Sequence, residues 1–242
     1  MKALVLAGGF AKRLLPLTAE TPKALLPLKG RPLLEHVLRK IEPLEGIDQV
    51  CIAVNARFEA QFALFLQRYR SRKMLRLVVE PAREEGEKLG SVGGIGHFLR
   101  SEQVEGPLLV MAGDNVLESG LFGLLLLYRE RKATVVGVTD VRDPSRAARY
   151  GVVELDPKGK ITSFEEKPSQ PRSTLASTGV YVLTGPVVAL VPQYLRDHQG
   201  DRMGDFIAWL VRREPVYGYV FPGKWFDIGS AEEYQQAERE LE

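Results

Sequence analysis

The 242-residue chain is 45% hydrophobic and 26% charged, enough length and apolar content for one large α/β domain or two small ones. Its 33 basic and 31 acidic residues leave a net charge of only +2, which excludes a broadly electrostatic nucleic-acid binder and makes any attraction to anions local. No run reaches the roughly 18 apolar residues of a membrane span, and Gly8-Gly9 and Lys12 interrupt the first apolar stretch too early for a signal peptide, so no membrane partner is expected and the cytoplasm is the default.

Lys2–Ala7 is a compact aliphatic run that reads as a strand, and it leads directly into Gly8-Gly9-Phe10-Ala11-Lys12-Arg13. Backbone N–H groups approach an anion closely where no Cβ intervenes, and Lys12, Arg13 and then Lys23 add charge, so this loop is suited to phosphate. After Arg31-Pro32, apolar residues at Leu33, Leu34, Val37, Leu38 and Ile41 have helical spacing. Gln49–Val54 reads as a buried strand containing the lone cysteine, Cys51, a small core residue with no disulfide partner. Phe58, Phe62, Phe65, Leu66 and Tyr69 mark a second helix, and Leu75–Val79 a third strand. Ser91 is the expected N-cap of a helix that turns Val92, Ile95, Phe98 and Leu99 inward. Leu108–Ala112 is a fourth strand, followed by Gly113-Asp114-Asn115 and a helix over Leu121–Tyr128.

The second half is richer in strands. Gly151–Leu155 and Ile161–Phe164 flank a turn at Asp156-Pro157-Lys158-Gly159-Lys160. Leu175–Leu183 is a strand, Gly185-Pro186 starts a helix through Val191, Met203–Val211 is a helix and Val216–Phe221 a strand. Ser230-Ala231-Glu232-Glu233 is a capping box opening the last helix. Strand–helix alternation in the first half predicts an α/β fold: a Rossmann-like, three-layer, mixed but mostly parallel sheet with helices on both faces. With no repeat or linker in the chain, the β-rich half is expected to extend that sheet or sit against it. Residues 1–242 then form a single domain with two functional lobes, over about 1–140 and about 141–242.

Asp114 directly follows an apolar strand, at the sheet edge where open α/β folds bind ligands, although an Asx turn explains it equally well. Asp227 sits among large apolar residues in Trp225-Phe226-Asp227-Ile228-Gly229, or else caps the last helix. Two carboxylates converging on a phosphate loop suit Mg²⁺, a hard cation that takes one or two carboxylates plus phosphate oxygens and water. Glu165-Glu166-Lys167-Pro168 is either a solvated strand end or a sugar-phosphate contact. His36, His97 and His198 are scattered without metal-ligand spacing. Neither a Gly-x-Ser-x-Gly elbow, a Gly-x-x-x-x-Gly-Lys-Ser/Thr loop nor a Gly-x-Gly-x-x-Gly fingerprint follows the first strand.

In order, these pieces resemble the sugar-1-phosphate nucleotidyltransferases, the nucleotide-sugar pyrophosphorylases. The family opening Leu-Ala-Gly-Gly-x-Gly-Thr-Arg-Leu-x-Pro-Leu-Thr stands here as Leu6 to Thr18, with Pro22-Lys23 following. Leu89-Gly90-Ser91-Val92-Gly93 is similar to the family's base-reading loop. Gly113-Asp114-Asn115, Glu165–Pro168, Thr178-Gly179-Val180-Tyr181 and Phe226–Gly229 resemble its later motifs. The guanylyltransferases for mannose 1-phosphate and the thymidylyltransferases for glucose 1-phosphate that lack a C-terminal β-helix are nearest in pattern.

The resemblance implies that NTP and a sugar 1-phosphate are the partners, that Mg²⁺ is the cofactor, and that NDP-sugar and pyrophosphate are formed. By the same resemblance Leu6, Ala7, Gly8, Gly9, Arg13 and Lys23 would hold the nucleotide, with Leu89 and Gly90 presenting backbone to the base. Asp114 and Asp227 would bind the metal; Gly151, Glu166, Lys167 and Thr178 would contact the sugar or its phosphate. An oligomer is compatible with it. Three positions depart from the pattern: Ala11 for glycine, Lys12 for threonine, and Ser177 where mannose-specific relatives often have asparagine. Two alternatives stay open, a catalytically weak relative that binds an NDP-sugar and regulates a partner, and a cytidylyltransferase acting on a phosphorylated alcohol. A glycosyltransferase is disfavoured because Asp114 is followed by Asn115-Val116 rather than completing an Asp-x-Asp pair.

Overall fold

The computed structural model describes residues 1–198, 200 and 202–241. In chain order the elements are β1 (Lys2–Leu6), β2 (Pro27–Leu28), β3 (Arg31–Pro32), α1 (Leu33–Ile41), β4 (Gln49–Asn55), α2 (Glu59–Arg68) and β5 (Met74–Glu80). They continue with α3 (Gly90–Ser101), β6 (Leu108–Ala112), β7 (Asn115–Leu117), α4 (Phe122–Arg131), β8 (Thr134–Asp140) and α5 (Pro144–Ala147). The second half adds β9 (Gly151–Leu155), β10 (Ile161–Glu166), β11 (Leu175–Leu183), α6 (Gly185–Asp197), α7 (Met203–Val211), β12 (Val216–Val220), β13 (Trp225–Asp227) and α8 (Ala231–Glu240).

One sheet carries both halves. Its first half, in spatial order β6-β1-β4-β5, is wholly parallel, as buried apolar strands joined through helices require. Strand β11 then pairs antiparallel with β6, and β8, β9, β10 and β12 extend from it. The β-rich half therefore joins the same sheet. Strand alternation sends Ala3 and Val5 to one face, with α1, α2 and α4, and Leu4 to the other, with α3, α6 and α7. A third, smaller cluster, with Leu14, Leu28, Phe226 and Ile228 among its members, packs α8 against the segment after the glycine loop.

The register places Leu6 beside Ala53 and Ala112, so the loops after β1, β4 and β6 leave from one level of the carboxyl edge. The chain turns from β1 to β4 on one side and returns to β6 on the other. That switch point between β1 and β6 is where open α/β sheets leave a crevice for ligand.

Four local expectations are corrected. The sequence reading assigned nothing to 129–150, yet β8 lies there with all residues but Asp140 buried; Gly137 interrupts its β-branched run. Helix α3 begins at Gly90 with Leu89 as its cap, so Ser91 lies inside the first turn. Helix α6 runs on to Asp197 through Pro192, because Val187, Val188, Val191 and Tyr194 form a buried stripe whose packing outweighs the lost hydrogen bond. The last helix is capped as expected by Ser230 Oγ on the Glu233 N–H, but the Glu233 carboxylate accepts from Gly229 N–H rather than from Ser230. No described helix is long and apolar enough to cross a membrane.

Candidate active site

The glycine loop follows β1 at the crevice. Ala7 N–H still donates to Ala53 O (2.8 Å), but the N–H groups of Gly8, Gly9 and Phe10 meet no acceptor among the described residues. They form a row of unspent donors beside the exposed cations Lys12 and Arg13. Ala11 has φ 48° and ψ 45°, a left-handed conformation in which its carbonyl accepts from Leu14 N–H and Thr18 Oγ1. Glycine would occupy that region without the Cβ penalty of about 1–2 kcal/mol, offset in part by about 0.4–1 kcal/mol of unfolded-chain entropy. Ala11→Gly is accordingly expected to stabilise the protein by about 0.5 kcal/mol in urea unfolding; a loss of stability would show that the methyl group has a packing role.

Lys23 and Asp114 meet across the crevice, Nζ to Oδ2 at 2.6 Å. Asn115 Nδ2 donates to Asp114 Oδ1 (2.8 Å), and buried Trp225 Nε1 donates to Asn115 Oδ1 (2.7 Å). A small antiparallel pair, β7 with β13, aligns Asn115 opposite Asp227, and Ile228 N–H donates to Asp114 O at 3.2 Å. This two-strand device brings together two carboxylates 113 positions apart in the chain. Burial pushes the Asp114 carboxyl up, but the Lys23 charge and the bonds from Lys23 and Asn115 outweigh it and hold it below its usual range. For Asp227, burial and then the Asp114 charge act in one direction and push its pKa up to about 6. Two oxygen-donor carboxylates that repel each other, one without a full counter-charge, fit a hard divalent cation. Among the described residues no third carboxylate or histidine joins them, which is the donor set of an ion completed by phosphate and water rather than of a closed protein cage.

Next to this pair opens a cavity of about 470 Å³ that brings together Arg13, Gly151, Glu166, Lys167 and Asp227. Lys167 takes φ 50° at the end of β10, held by its N–H to Tyr150 O (2.9 Å). Glu166 lies against Gly151 and Gly204, and a Cβ at Gly204 would collide with its carboxylate, so only glycine admits this side chain there. Burial raises the Glu166 pKa, while Lys167 lowers it. The cavity also contains Ser177 and Tyr181, whose hydroxyls hydrogen-bond at 3.1 Å, and Arg149, which pairs with Glu233.

Thr178 is not brought to the cavity. It is fully buried and donates to Gly137 O (2.9 Å); its neighbours Ser177 and Gly179 face the space instead, as strand alternation dictates. Leu6 contributes through its carbonyl, which accepts from Gly113 N–H (2.8 Å) and ties the Asp114 loop to β1. Leu89 and Gly90 sit where α3 starts, with Gly90 at φ 73°.

Glu80 was missed by the sequence reading. It ends β5, is 5% exposed, and its carboxylate is wedged between Gly8 of the glycine loop and Gly94 of α3. Its carboxylate has no hydrogen bond or ion pair among the described residues, and burial pushes its pKa up to about 7. The available signal was its place: an acidic residue at the carboxyl end of an apolar parallel strand. Asn115 and Trp225 were within quoted motifs, but their link to Asp114 exists only in three dimensions.

A family model described as nucleotidyl transferase matches residues 2–242. The chain is 29% identical over 242 residues to the Bifunctional protein GlmU of Methanocaldococcus jannaschii, matching 100% of this chain and 54% of that protein. It is 29% identical over 240 residues to Mannose-1-phosphate guanylyltransferase 1 of Arabidopsis thaliana, 97% of this chain and 63% of that protein. The chain thus spans between half and two thirds of the length of these two relatives. A crystal structure described as a glucose-1-phosphate thymidylyltransferase from Bacillus anthracis superposes with a TM-score of 0.85 at 25% identity, covering 98% of this chain and 94% of that one.

Proposed function

Because the chain belongs to the nucleotidyl transferase family, we propose that it transfers a nucleotidyl group from an NTP to a sugar 1-phosphate, giving an NDP-sugar and pyrophosphate. The observation that carries this reading is the Lys23–Asp114 pair with Asp227 beside it, opening onto the cavity that holds Arg13, Glu166 and Lys167. The chain acts as a single catalytic domain, with nucleotide on the 1–140 side and sugar on the 141–242 side.

In this mechanism a sugar-phosphate oxygen forms a bond to the α-phosphorus as the α–β bridging bond breaks in line, and pyrophosphate leaves. The attacking phosphate is already largely dianionic near neutrality, its second pKa being about 6, so no general base is required. The task is to align two anions and neutralise their charge. Arg13, Lys23 and the unspent N–H groups of Gly8 and Gly9 bind the triphosphate; Lys167 binds the sugar phosphate and Glu166 accepts from sugar hydroxyls. Asp114 and Asp227 would hold Mg²⁺, which when bound supplies charge neutralisation at the phosphate oxygens. Trp225 and Asn115 orient Asp114, and Lys23 keeps it ionised before substrate arrives.

Incubating the protein with Mg²⁺, each NTP and a panel of sugar 1-phosphates, then measuring pyrophosphate, tests the reaction; silence throughout would overturn it. Lys167→Ala is expected to raise KM for the sugar 1-phosphate about 10–100-fold with a smaller change for NTP. Equal changes for both substrates would remove Lys167 from the sugar-phosphate subsite.

The reading extends to the base through Glu80. An unpaired, buried carboxylate between the phosphate loop and α3 is satisfied by two adjacent donors, and guanine presents N1–H and N2–H₂ side by side. Protonated, the same group offers one donor and one acceptor, the pattern that pairs with N3–H and O4 of uracil or thymine. The ratio of kcat/KM for GTP to that for UTP or dTTP is therefore expected to rise as pH increases through about 7, because the acceptor-only form exists above the pKa. Glu80→Gln should shift that ratio about 10–100-fold toward UTP and dTTP and abolish its pH dependence. An unchanged base profile would leave Glu80 a structural residue.

A further inference from the structure

A second hollow, of about 610 Å³, opens between α1 and α2, away from the catalytic cavity. Its volume lies in the roughly 300–1,000 Å³ range of small-molecule pockets. Leu25, Pro32 and Leu64 supply apolar lining, and Phe65 and Tyr69 add two rings stacked at 5.4 Å and 18°. Arg39, Arg68 and Arg70 bring three guanidiniums to the hollow against one carboxylate, Glu35. Glu35 is already engaged by Arg39 (3.0 Å) and Arg31 (3.7 Å), whereas no ion pair among the described residues holds Arg68 or Arg70.

Both walls reach the loop that carries Lys23. Leu25 shares a single 3₁₀ turn with Lys23, closed by Leu26 N–H on Lys23 O at 3.0 Å. From α2, Gln61 Nε2 donates to Glu20 O (2.6 Å), and Arg57, just before the helix, donates to Ala19 O (3.1 Å). The segment from Ala19 to Leu25 is thus gripped from the hollow on one side and ends in the Lys23–Asp114 contact on the other.

We propose that the α1–α2 hollow is a second nucleotide-binding site, taking a nucleoside di- or triphosphate, and that its occupancy controls the placement of Lys23. The aromatic and apolar lining accepts a base, and Arg68 and Arg70 accept phosphate oxygens in the forked geometry that guanidinium provides. A sugar phosphate would leave the aromatic wall unused, and an uncharged amphiphile would leave the two arginines without a partner. Separation of α1 from α2 by a bound nucleotide moves Leu25 and Glu20 together, and with them the ammonium that faces Asp114. The binding site stands independently of the catalytic reading; its effect on turnover rests on it.

Equilibrium dialysis of the full chain with ADP, GDP, UDP and dTDP as probes tests the site directly. At least one probe is expected to bind at two sites per chain. Arg13→Ala should remove the catalytic-site class, and the exposed pair Arg68→Glu/Arg70→Glu should weaken the other class at least about tenfold, each leaving one site. In turnover assays the same probe should lower kcat at saturating NTP in the parent protein, and Arg68→Glu/Arg70→Glu should keep its basal kcat while losing that response. One site per chain for every probe, or two-site binding unchanged in the double variant, would overturn the site. Purely competitive inhibition with two-site binding intact would overturn the control of Lys23. If no substrate pair turns over, the catalytic reading fails while the dialysis result still decides the hollow.

Discussion

Replacing Asp114 by asparagine is expected to lower kcat about 10²–10³-fold while the protein stays folded. The amide keeps the shape and can still accept from Asn115, but it carries no charge for a metal ion and leaves Lys23 without its 2.6 Å partner. The stability cost follows from the depressed carboxyl pKa: a group held below its unfolded value contributes stability above about pH 4 and loses it as pH falls through the folded value. The side chain is 33% exposed, so solvent screening limits that contribution to about 1 kcal/mol. Turnover should therefore fall far more than the unfolding midpoint in urea. A variant with parental rate at limiting Mg²⁺ would remove Asp114 from the metal site.

Asp227→Asn is expected to separate activity from stability in opposite directions. Burial and the neighbouring Asp114 raise the Asp227 pKa to about 6, above its unfolded value of about 4. The sign is opposite to that of Asp114: the folded protein prefers the protonated form, so ionisation above about pH 6 destabilises it. With the metal chelated, the asparagine variant should be about 1–2 kcal/mol more stable than the parent at pH 8, and the gap should close as pH drops to about 4.5. Activity should drop about 10²-fold or more, since the amide cannot balance a cation. Added Mg²⁺ should raise the melting temperature of the parent but not of the variant, because only binding to the folded state stabilises it. Equal stability of the two proteins at pH 8 would mean that Asp227 is not under electrostatic strain.

Much of the first half was legible because its strands are bounded apolar runs and its helices have clear 3.6-residue periodicity. Lys2–Leu6, Gln49–Asn55 and Leu108–Ala112 emerge within a residue of expectation, and Leu34, Val37, Leu38 and Ile41 bury the face that their spacing implies. Where the reading missed, a local rule lost to a tertiary one. Gly137 obscures β8 as a strand, yet a Cβ there would meet the ring of Phe221, just past β12, and the hydroxyl of Thr178 on β11, so packing from both neighbouring strands' side chains demands glycine. Pro192 reads as a stop, but the buried stripe of α6 continues past it. Ala11 reads as a departure from a glycine pattern; the backbone still takes the left-handed turn and tolerates the methyl group.

The candidate site divides in the same way. Asp114 and Asp227 were visible because each stands beside an apolar strand, where a polar side chain reaches the rim of a sheet, whereas Lys167, in the charged run Glu165–Pro168, was singled out from a solvated strand end only by the family resemblance. Thr178 carried the same motif signal but points inward to Gly137, since one step along a strand exchanges the two faces. Order along the chain was thus enough to specify an α/β sheet, a glycine loop with cations beside it and the kinds of residue around it. The meeting of Asp114 with Lys23 and Asp227, the isolation of Glu80 and the hollow behind Lys23 came only with the fold. Contacts between residues far apart in sequence depend on strand register and on which face each side chain takes, and neither is encoded by the neighbours of a residue in the chain.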